Sequence, residues 1–488
     1  MTSPETAGLE APLPLPTPPP ARITRNFLLL SLTSVAGAII NLLLGLYSRR
    51  VFGTEVTGQL AWSSSVISYA NLVVSPGLVT IARREVARDA KQAARYTVLL
   101  FVIQVVLAIV AFALIQGFGE VTRRGEQIQL LLLFNAINLL FLPFDLGWLL
   151  QAHERIAPVS LMGIGVLAVQ TAAVFAFIHG PQNVLPYLLL PYPFRLAFVA
   201  FTIWYSVRHG FLDAREMWPR FRLGDVRPLI VAAIPVGMAQ AMVMLYGNSD
   251  VIFLGMTHSD VVVGLYSTAY SMMMIPTFLH GALTNAYFSS LARAFQTPDA
   301  ARALSQQFLR LMIWLGFPLA ALGWAIGRHP MLLILPGFGG SGPLLEWLCL
   351  NLSLMFFNVG YLIPLIAWEH QGLAFRCTLT GAVVNVGLNV WLIPHYGAQG
   401  AVLSTILAEA GVMVATVLVR RRTHPLPWPR FVLFPALLCL VVGPAMRFAT
   451  DHLMPWWCAA LLGTLVFLFG CAFAERDWTR AVLKRLRR

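Results

Sequence analysis

Residues Arg227–Arg293 read RPLIVAAIPVGMAQAMVMLYGNSDVIFLGMTHSDVVVGLYSTAYSMMMIPTFLHGALTNAYFSSLAR. One bilayer crossing takes about 20 apolar residues, so this stretch is long enough to cross twice. It is basic at both ends and carries Asp250, one of few acids set inside apolar sequence. Its second half is also similar to a stretch near the start of the chain. The rest of the sequence decides what these facts mean.

Of 488 residues, 58% are hydrophobic and 11% charged. A soluble protein carries roughly 25% charged residues, so the deficit identifies a lipid-embedded chain. The net charge of +13 first suggests nucleic acid. The bases, however, sit in short clusters between apolar runs, which is a topology signal, and no nucleic-acid partner is expected. The cysteines (Cys349, Cys377, Cys439, Cys458, Cys471) lie in apolar runs without paired or metal-like spacing and read as small core residues. Residues 1–21 are rich in proline and small residues and lack a basic region before an apolar run. They are expected to be a disordered cytosolic tail, not a signal peptide.

Fourteen apolar stretches are long enough to span: 26–48, 57–82, 96–117, 127–150, 156–179, 183–207, 228–254, 261–290, 306–327, 344–368, 372–394, 398–419, 431–450 and 455–474. Proline and charge interrupt the last two, so twelve is the lower count. With the N-terminus in the cytosol, 27 of the 34 Lys and Arg residues fall on inside segments, six outside (Arg49, Arg50, Arg123, Arg124, Arg328, Arg447) and one, Arg195, within a span. One missed helix would invert every later loop, so this asymmetry supports the count and puts both termini in the cytosol. The outer loops are short and hold no domain for an enzyme site.

Two passages are similar: Val51–Asp89, containing GQLAWSSS and IARRE, and Phe253–Asp299, containing GLYSTAYS and LARAF. Gly58 corresponds to Gly264 and Arg83 to Arg293, offsets of 206 and 210. Six spans separate the copies, so both run in the same direction. Parallel repeats place a substrate site between two halves.

Four passages carry a resemblance to a known family: SRRVFGTEVTGQLAWSSS (Ser48–Ser65), FDLGWLLQAHERI (Phe144–Ile156), SDVIFLG to VGLYSTAY (Ser249–Tyr270) and NVGLNVWLIPHYGAQGAVLSTILAE (Asn385–Glu409). In this order, along fourteen spans with short loops, they resemble the multidrug/oligosaccharidyl-lipid/polysaccharide exporter superfamily. Within it the chain resembles the bacterial branch of O-antigen and exopolysaccharide lipid-linked oligosaccharide flippases. The early spans lack the charge pattern of the related peptidoglycan-precursor flippases.

The resemblance implies an all-α integral membrane fold with two parallel six-helix lobes around a central cavity and two peripheral C-terminal helices. The expected divisions are an N-terminal lobe over 22–210, a cytosolic linker over 211–227, a C-terminal lobe over 228–422, and a final helix pair with a basic tail over 423–488. It also implies transport in the cytoplasmic (inner) membrane, with a lipid-linked saccharide as substrate and H+ or Na+ as candidate coupling ions. Membrane lipids, a polymerase and glycosyltransferases are the other expected partners.

Charge within a span costs about 2.5–3.5 kcal/mol on insertion scales and needs a reason. Arg195 lies mid-span behind Pro186, Pro191 and Pro193, which are expected to break the helix. It is either a contact to an anionic diphosphate or sugar acid, or a structural partner of a buried acid. Asp145 and Asn138, seven apart, with Asn135 beside them, are expected to form a polar stripe on one helical face. Such a stripe can line a cavity, bind a coupling cation or hold helices together. Asp250, toward the outer end of its span, is a proton or sodium site or a solvated group near the loop. Glu409, mid-span, is a proton carrier or a partner for Arg195. For Asn385/Asn389 and Asn351/Asn358 packing suffices.

No G-x-x-x-x-G-K-[ST] loop, His/Cys metal cluster or Ser-His-Asp set is present, so no ATP site, cofactor or enzyme activity is expected. Two alternatives to a flippase remain at this level: a cation-coupled drug antiporter of the same fold, and a membrane polysaccharide polymerase or glycosyltransferase. The latter needs a larger or acidic outer loop.

Overall fold

A computed structural model describes residues 20–122, 124–420 and 432–475. Most of the N-terminal tail, the basic stretch 421–431 and the C-terminal tail lie outside the described residues. Among those described, all regular structure is helical. The first half contains α1 (Pro20–Val74), α2 (Leu78–Arg88), α3 (Ala93–Thr122), α4 (Glu126–Ile137), α5 (Gly147–Ala152), α6 (Ile156–Phe177), α7 (Val184–Leu189) and α8 (Pro191–Arg208). A short helix α9 (Ala214–Met217) sits in the linker. The second half contains α10 (Val226–Thr257), α11 (Asp260–Met274), α12 (Thr277–Ala294), α13 (Pro298–Ile326), α14 (Arg328–Ile334), α15 (Ser341–Ala367) and α16 (Gln371–Arg420), followed by α17 (Leu433–His452) and α18 (Trp456–Ala474).

Twelve of the helical segments are long and apolar enough to cross a membrane. Two are too long for one crossing. The apolar part of α1, Leu32–Val74, has 43 residues, about 65 Å of helix against a bilayer core of about 30 Å. It is divided at Gly53, whose φ of 72° and ψ of −172° leave the helical region and suit glycine. Leu44 and Leu60 would stand about 24 Å apart on a straight helix, yet both pack against one cluster around Phe52, Val174 and Ile178. The chain therefore folds back at Gly53.

Helix α16 does the same at Gly397 (φ 57°). A Cβ on Gly400 would lie 2.2 Å from the Leu392 carbonyl oxygen, and Ser404 donates a hydrogen bond to Asn389 Oδ1. These contacts zip its two arms together. The two hairpins hold the first and second, and the eleventh and twelfth, spans read from the sequence.

Gly53, His258 and Gly397 mark one end of the bundle, the hairpin face. The linker and α2 mark the other, the linker face. Little hydrophobic effect acts between helices in lipid, so close approach of small residues matters more. At the hairpin face the second arm of α1 meets α11 through Gly58 and Gly264. A Cβ on Gly58 would fall 1.8 Å from the Asp260 carbonyl oxygen, and one on Gly264 would fall 1.9 Å from that of Thr54. Each glycine thus meets the carbonyl four residues before its counterpart, a reciprocal contact. The repeat-related glycines touch across an approximate twofold relation.

At the linker face the halves meet again, where Gly77 abuts Ala233 and Val236 and Arg95 pairs with Asp225 at 2.8 Å. Helices α17 and α18 lie against α13. Buried Glu346 fixes this arrangement between Arg328 (3.5 Å) and Arg447 (3.1 Å), with Arg447 over the Trp324 ring.

Candidate functional site

The first half carries an open cavity of about 500 Å³ lined by Asn71, Ser75, Asn135, Asn138 and Arg195, with Ile67 and Leu142. The triple proline expected to break the span of Arg195 does so only lightly. Leu190 keeps helical dihedrals, and Pro191 opens α8 at its first position, where a missing N–H costs nothing. Arg195 follows one turn later. The Tyr192 hydroxyl bonds the Phe134 carbonyl oxygen and ties α8 to α4 at this level. Arg195 Nη2 lies 3.8 Å from Asp145 Oδ2, an ion pair without a close hydrogen bond. Its buried Nε has no hydrogen-bond partner.

The expected helical stripe through Asn138 and Asp145 does not form. Helix α4 ends at Ile137, the chain tightens into a 3-10 segment (Asn138–Phe144) containing Pro143, and Asp145 is extended. A spacing of seven puts residues on one face only in a continuous α-helix. Asp145 instead accepts the Gly147 N–H through Oδ1 at 2.9 Å, which starts α5, and turns Oδ2 to Arg195. Asn138 and Arg195 nonetheless line one cavity, and the break brings Asp145 to Arg195 behind it.

The second half holds two buried acids. Asp250, 2% exposed, is not solvated near a loop. It faces inward from α10 into a cage built by α11 and both arms of α16. The Tyr266 hydroxyl donates to Oδ2 at 2.5 Å, Thr405 donates to the same oxygen at 2.8 Å, and Asn389 Nδ2 donates to Oδ1. Ser249 donates to Asn385 Oδ1 at 2.8 Å, which in turn accepts from Asn389 at 3.0 Å. The asparagines read as packing residues therefore belong to this cage. Glu409, 5% exposed, does not pair with Arg195. It accepts from Asn358 Nδ2 at 2.5 Å. Among the described residues, neither Asp250 nor Glu409 has a basic partner within ion-pair distance. Tyr266 and Thr405 carry no charge that would mark them in the sequence, and a hydroxyl in an apolar span is silent until its neighbours are known.

The hairpin face is sealed by polar contacts as well as by Gly58 and Gly264. Arg124 pairs with Asp260 and lies 4.4 Å over the Trp62 ring, while Gln59 donates to Asp260 at 3.2 Å. Arg49 reaches across from α1 to donate to Thr268 (3.2 Å) and Ser271 (2.7 Å).

A base facing an amide-lined cavity in one half and caged acids in the other, among helices long and apolar enough to cross a membrane, describe a multi-pass membrane protein with charge held inside its spans. The chain belongs to the polysaccharide biosynthesis protein family, whose model matches residues 23–293. Its fold is similar to that of the lipid II flippase MurJ in an inward closed conformation, with a TM-score of 0.70 and 14% identity over 93% of this chain and all of that one. It is also similar to an inward-facing multidrug resistance MATE family transporter, with a TM-score of 0.64 and 15% identity over 81% of this chain and 98% of that one. At such identities the likeness concerns the fold. The DNA damage-inducible protein F of Escherichia coli (strain K12) is 29% identical over 208 residues, 39% of this chain and 43% of that protein. The match thus spans less than half of the relative's length.

Proposed function

We propose that the protein is a flippase that moves a polyprenyl-diphosphate-linked oligosaccharide across the cytoplasmic membrane by alternating access. The lobes are 22–210 and 228–422, joined by the linker 211–227, and residues 423–488 form the accessory helix pair and tail. The clustering of bases on the segments at the linker face supports its cytosolic side. The observation that carries this reading is Arg195. Its forked guanidinium keeps one buried N–H unbonded at an asparagine-lined cavity, which suits a diphosphate or acidic sugar, while asparagine amides suit sugar hydroxyls. Asp145 holds the fork in position. Between α13 and α18 a groove of about 570 Å³, lined by Trp314, Leu315, Phe467 and Leu468, offers an apolar bed for part of the polyprenyl chain.

Arg195→Ala should cut complementation of a polysaccharide-export mutant about tenfold or more, the worth of one or two charge-assisted hydrogen bonds. Membrane insertion should be normal. Normal polymer output from Arg195→Ala would overturn the assignment.

In this reading the hairpin face faces outward and is closed. Asp250, caged by neutral donors and, among the described residues, free of any base, is the coupling-ion site for H+ or Na+. The Arg124–Asp260 pair is the latch that must open. Asp260→Asn should shift the closed–open balance by about tenfold, about 1.4 kcal/mol for a partly buried pair. A cysteine at Ser267, in a background without the native cysteines, should then react faster with an impermeant maleimide added outside. Unchanged labelling would remove the latch.

A further inference from the structure

The second half places its polar groups on two levels. Tyr246 and Asp250 are one turn apart on α10, Tyr266 and Tyr270 on α11, and Thr405 and Glu409 on the second arm of α16. Helix α10 runs toward the hairpin face, while α11 and the second arm of α16 run away from it, so three residues share each level. Asp250, Tyr266 and Thr405 form the upper level, where hydrogen bonds join them. Tyr246, Tyr270 and Glu409 lie about 6 Å nearer the linker face. The Tyr266 and Tyr270 rings stack at 6.0 Å and connect the two.

The levels differ in how their acids are satisfied. Asp250 accepts three side-chain donors, which suits an ionised carboxylate. Glu409 accepts one, from Asn358 Nδ2, whose other bond goes to the Glu409 carbonyl oxygen at 3.0 Å. The Tyr246 hydroxyl faces the same carboxyl without a hydrogen bond of ordinary geometry. Asn358 is 3% exposed, and its Oδ1 is buried with no donor. An amide and a carboxylic acid satisfy each other through two parallel bonds, N–H to C=O and O–H to C=O. An ionised Glu409 has no O–H to return, so it leaves the amide oxygen stranded, and a buried acceptor is costly to strand. A proton on Glu409 supplies the missing donor and also removes an uncompensated buried charge. The titratable groups facing Glu409 are Tyr246 on α10, Tyr270 on α11 and, one turn above, Asp250. No Arg, Lys or His among the described residues pairs with it.

We infer that Glu409 is a proton-binding site, distinct from the Asp250 cage, and that the two acids form successive stations of an ion path through the second half. This rests on the reading of Asp250 as a coupling site. The proton on Glu409 binds the Asn358 amide while the hairpin face is closed, and it leaves toward the linker face when helix movement parts α15 from the second arm of α16.

The test is infrared spectroscopy of the full-length protein in lipid vesicles, read at the C=O stretch of a protonated carboxylic acid. At neutral pH the band should be present, shift on deuteration, vanish in Glu409→Gln and persist in Asp250→Asn. Asn358→Leu, which removes the partner, should move the band to higher frequency, and this decides the matter if Glu409→Gln does not fold. A band indifferent to both substitutions overturns the proposal. A band abolished by sodium at constant pH also overturns it, assigning the site to the metal cation. Gradient-driven transport by Asp250→Asn reports separately on the coupling reading. If that variant stays coupled while the Glu409 band stands, the coupling role of Asp250 and the two-station path are overturned together, and the proton site at Glu409 stands alone.

Discussion

Gly58→Val and Gly264→Val unseal the hairpin face and lower transport about tenfold or more. The added Cβ meets a backbone carbonyl at 1.8 Å or 1.9 Å. A side chain in its path could rotate away, but here a helix must move. Overpacking in a well-filled core costs about 1–3 kcal/mol, and a backbone obstacle puts these variants at or above the upper end. The displacement separates the second arm of α1 from α11 where Arg124, Gln59 and Asp260 meet, so the polar latch is lost with the glycine contact. Impermeant maleimide should then label a cysteine at Ser267, and thermal stability in detergent should fall. Gly117→Ala is the control, because open space surrounds its Cβ position and alanine favours the helix by about 0.5–1 kcal/mol. Wild-type transport with an unlabelled Ser267 position in Gly58→Val would show that the crossing is not a seal.

The second large effect is expected at Asp250, where two substitutions separate stability from coupling. Asp250→Ala removes the acceptor of the buried Tyr266 hydroxyl and leaves a small void. One or two stranded donors at about 1–3 kcal/mol each predict a loss of about 2–4 kcal/mol. Thr405 and Asn389 soften it by turning to Ala401 and Asn385, which they already approach at 2.9 and 3.0 Å. Asp250→Asn keeps the volume and one acceptor and should fold normally. Dissipating the proton or sodium gradient should slow translocation by the wild type and leave the residual rate of Asp250→Asn unchanged. A variant that still responds to the gradient like the wild type would take the coupling role away from this acid.

The fold was legible because lipid imposes few, strong constraints. Apolar length gave the spans, and the segregation of bases tied their number together. Gly58 and Gly264 stood out as corresponding positions in the repeat, although nothing in one dimension says that they touch. The long helices α1 and α16 show what hydropathy adds to hydrogen-bond pattern, since a span limit cuts at Gly53 and Gly397 where the helical pattern runs on.

The site was legible in part. A charge in an apolar run announces itself, so Arg195, Asp145, Asp250 and Glu409 were found as residues. Their surroundings were not. Position along a span gives depth but not direction, and Asp250 could be taken for a solvated group although it points into three packed segments. The spacing of Asp145 from Asn138 implies a shared helical face that Pro143 and the 3-10 segment abolish. Tyr266, Thr405 and Tyr246 carry no charge and match the background of their spans, so only packing reveals them.

The contact between Gly58 and Gly264 is the same seen from either side. A self-matching surface is what two identical chains present to each other across a twofold axis, and in this chain both copies are covalently joined. An arrangement suited to a dimer of half-length subunits is thus held within one molecule, each copy with a permanent partner. Fusion removes the requirement that both copies stay alike. One half keeps the base and its amide-lined cavity, the other keeps the two acids, and the seam between them still carries the symmetry that the rest has lost.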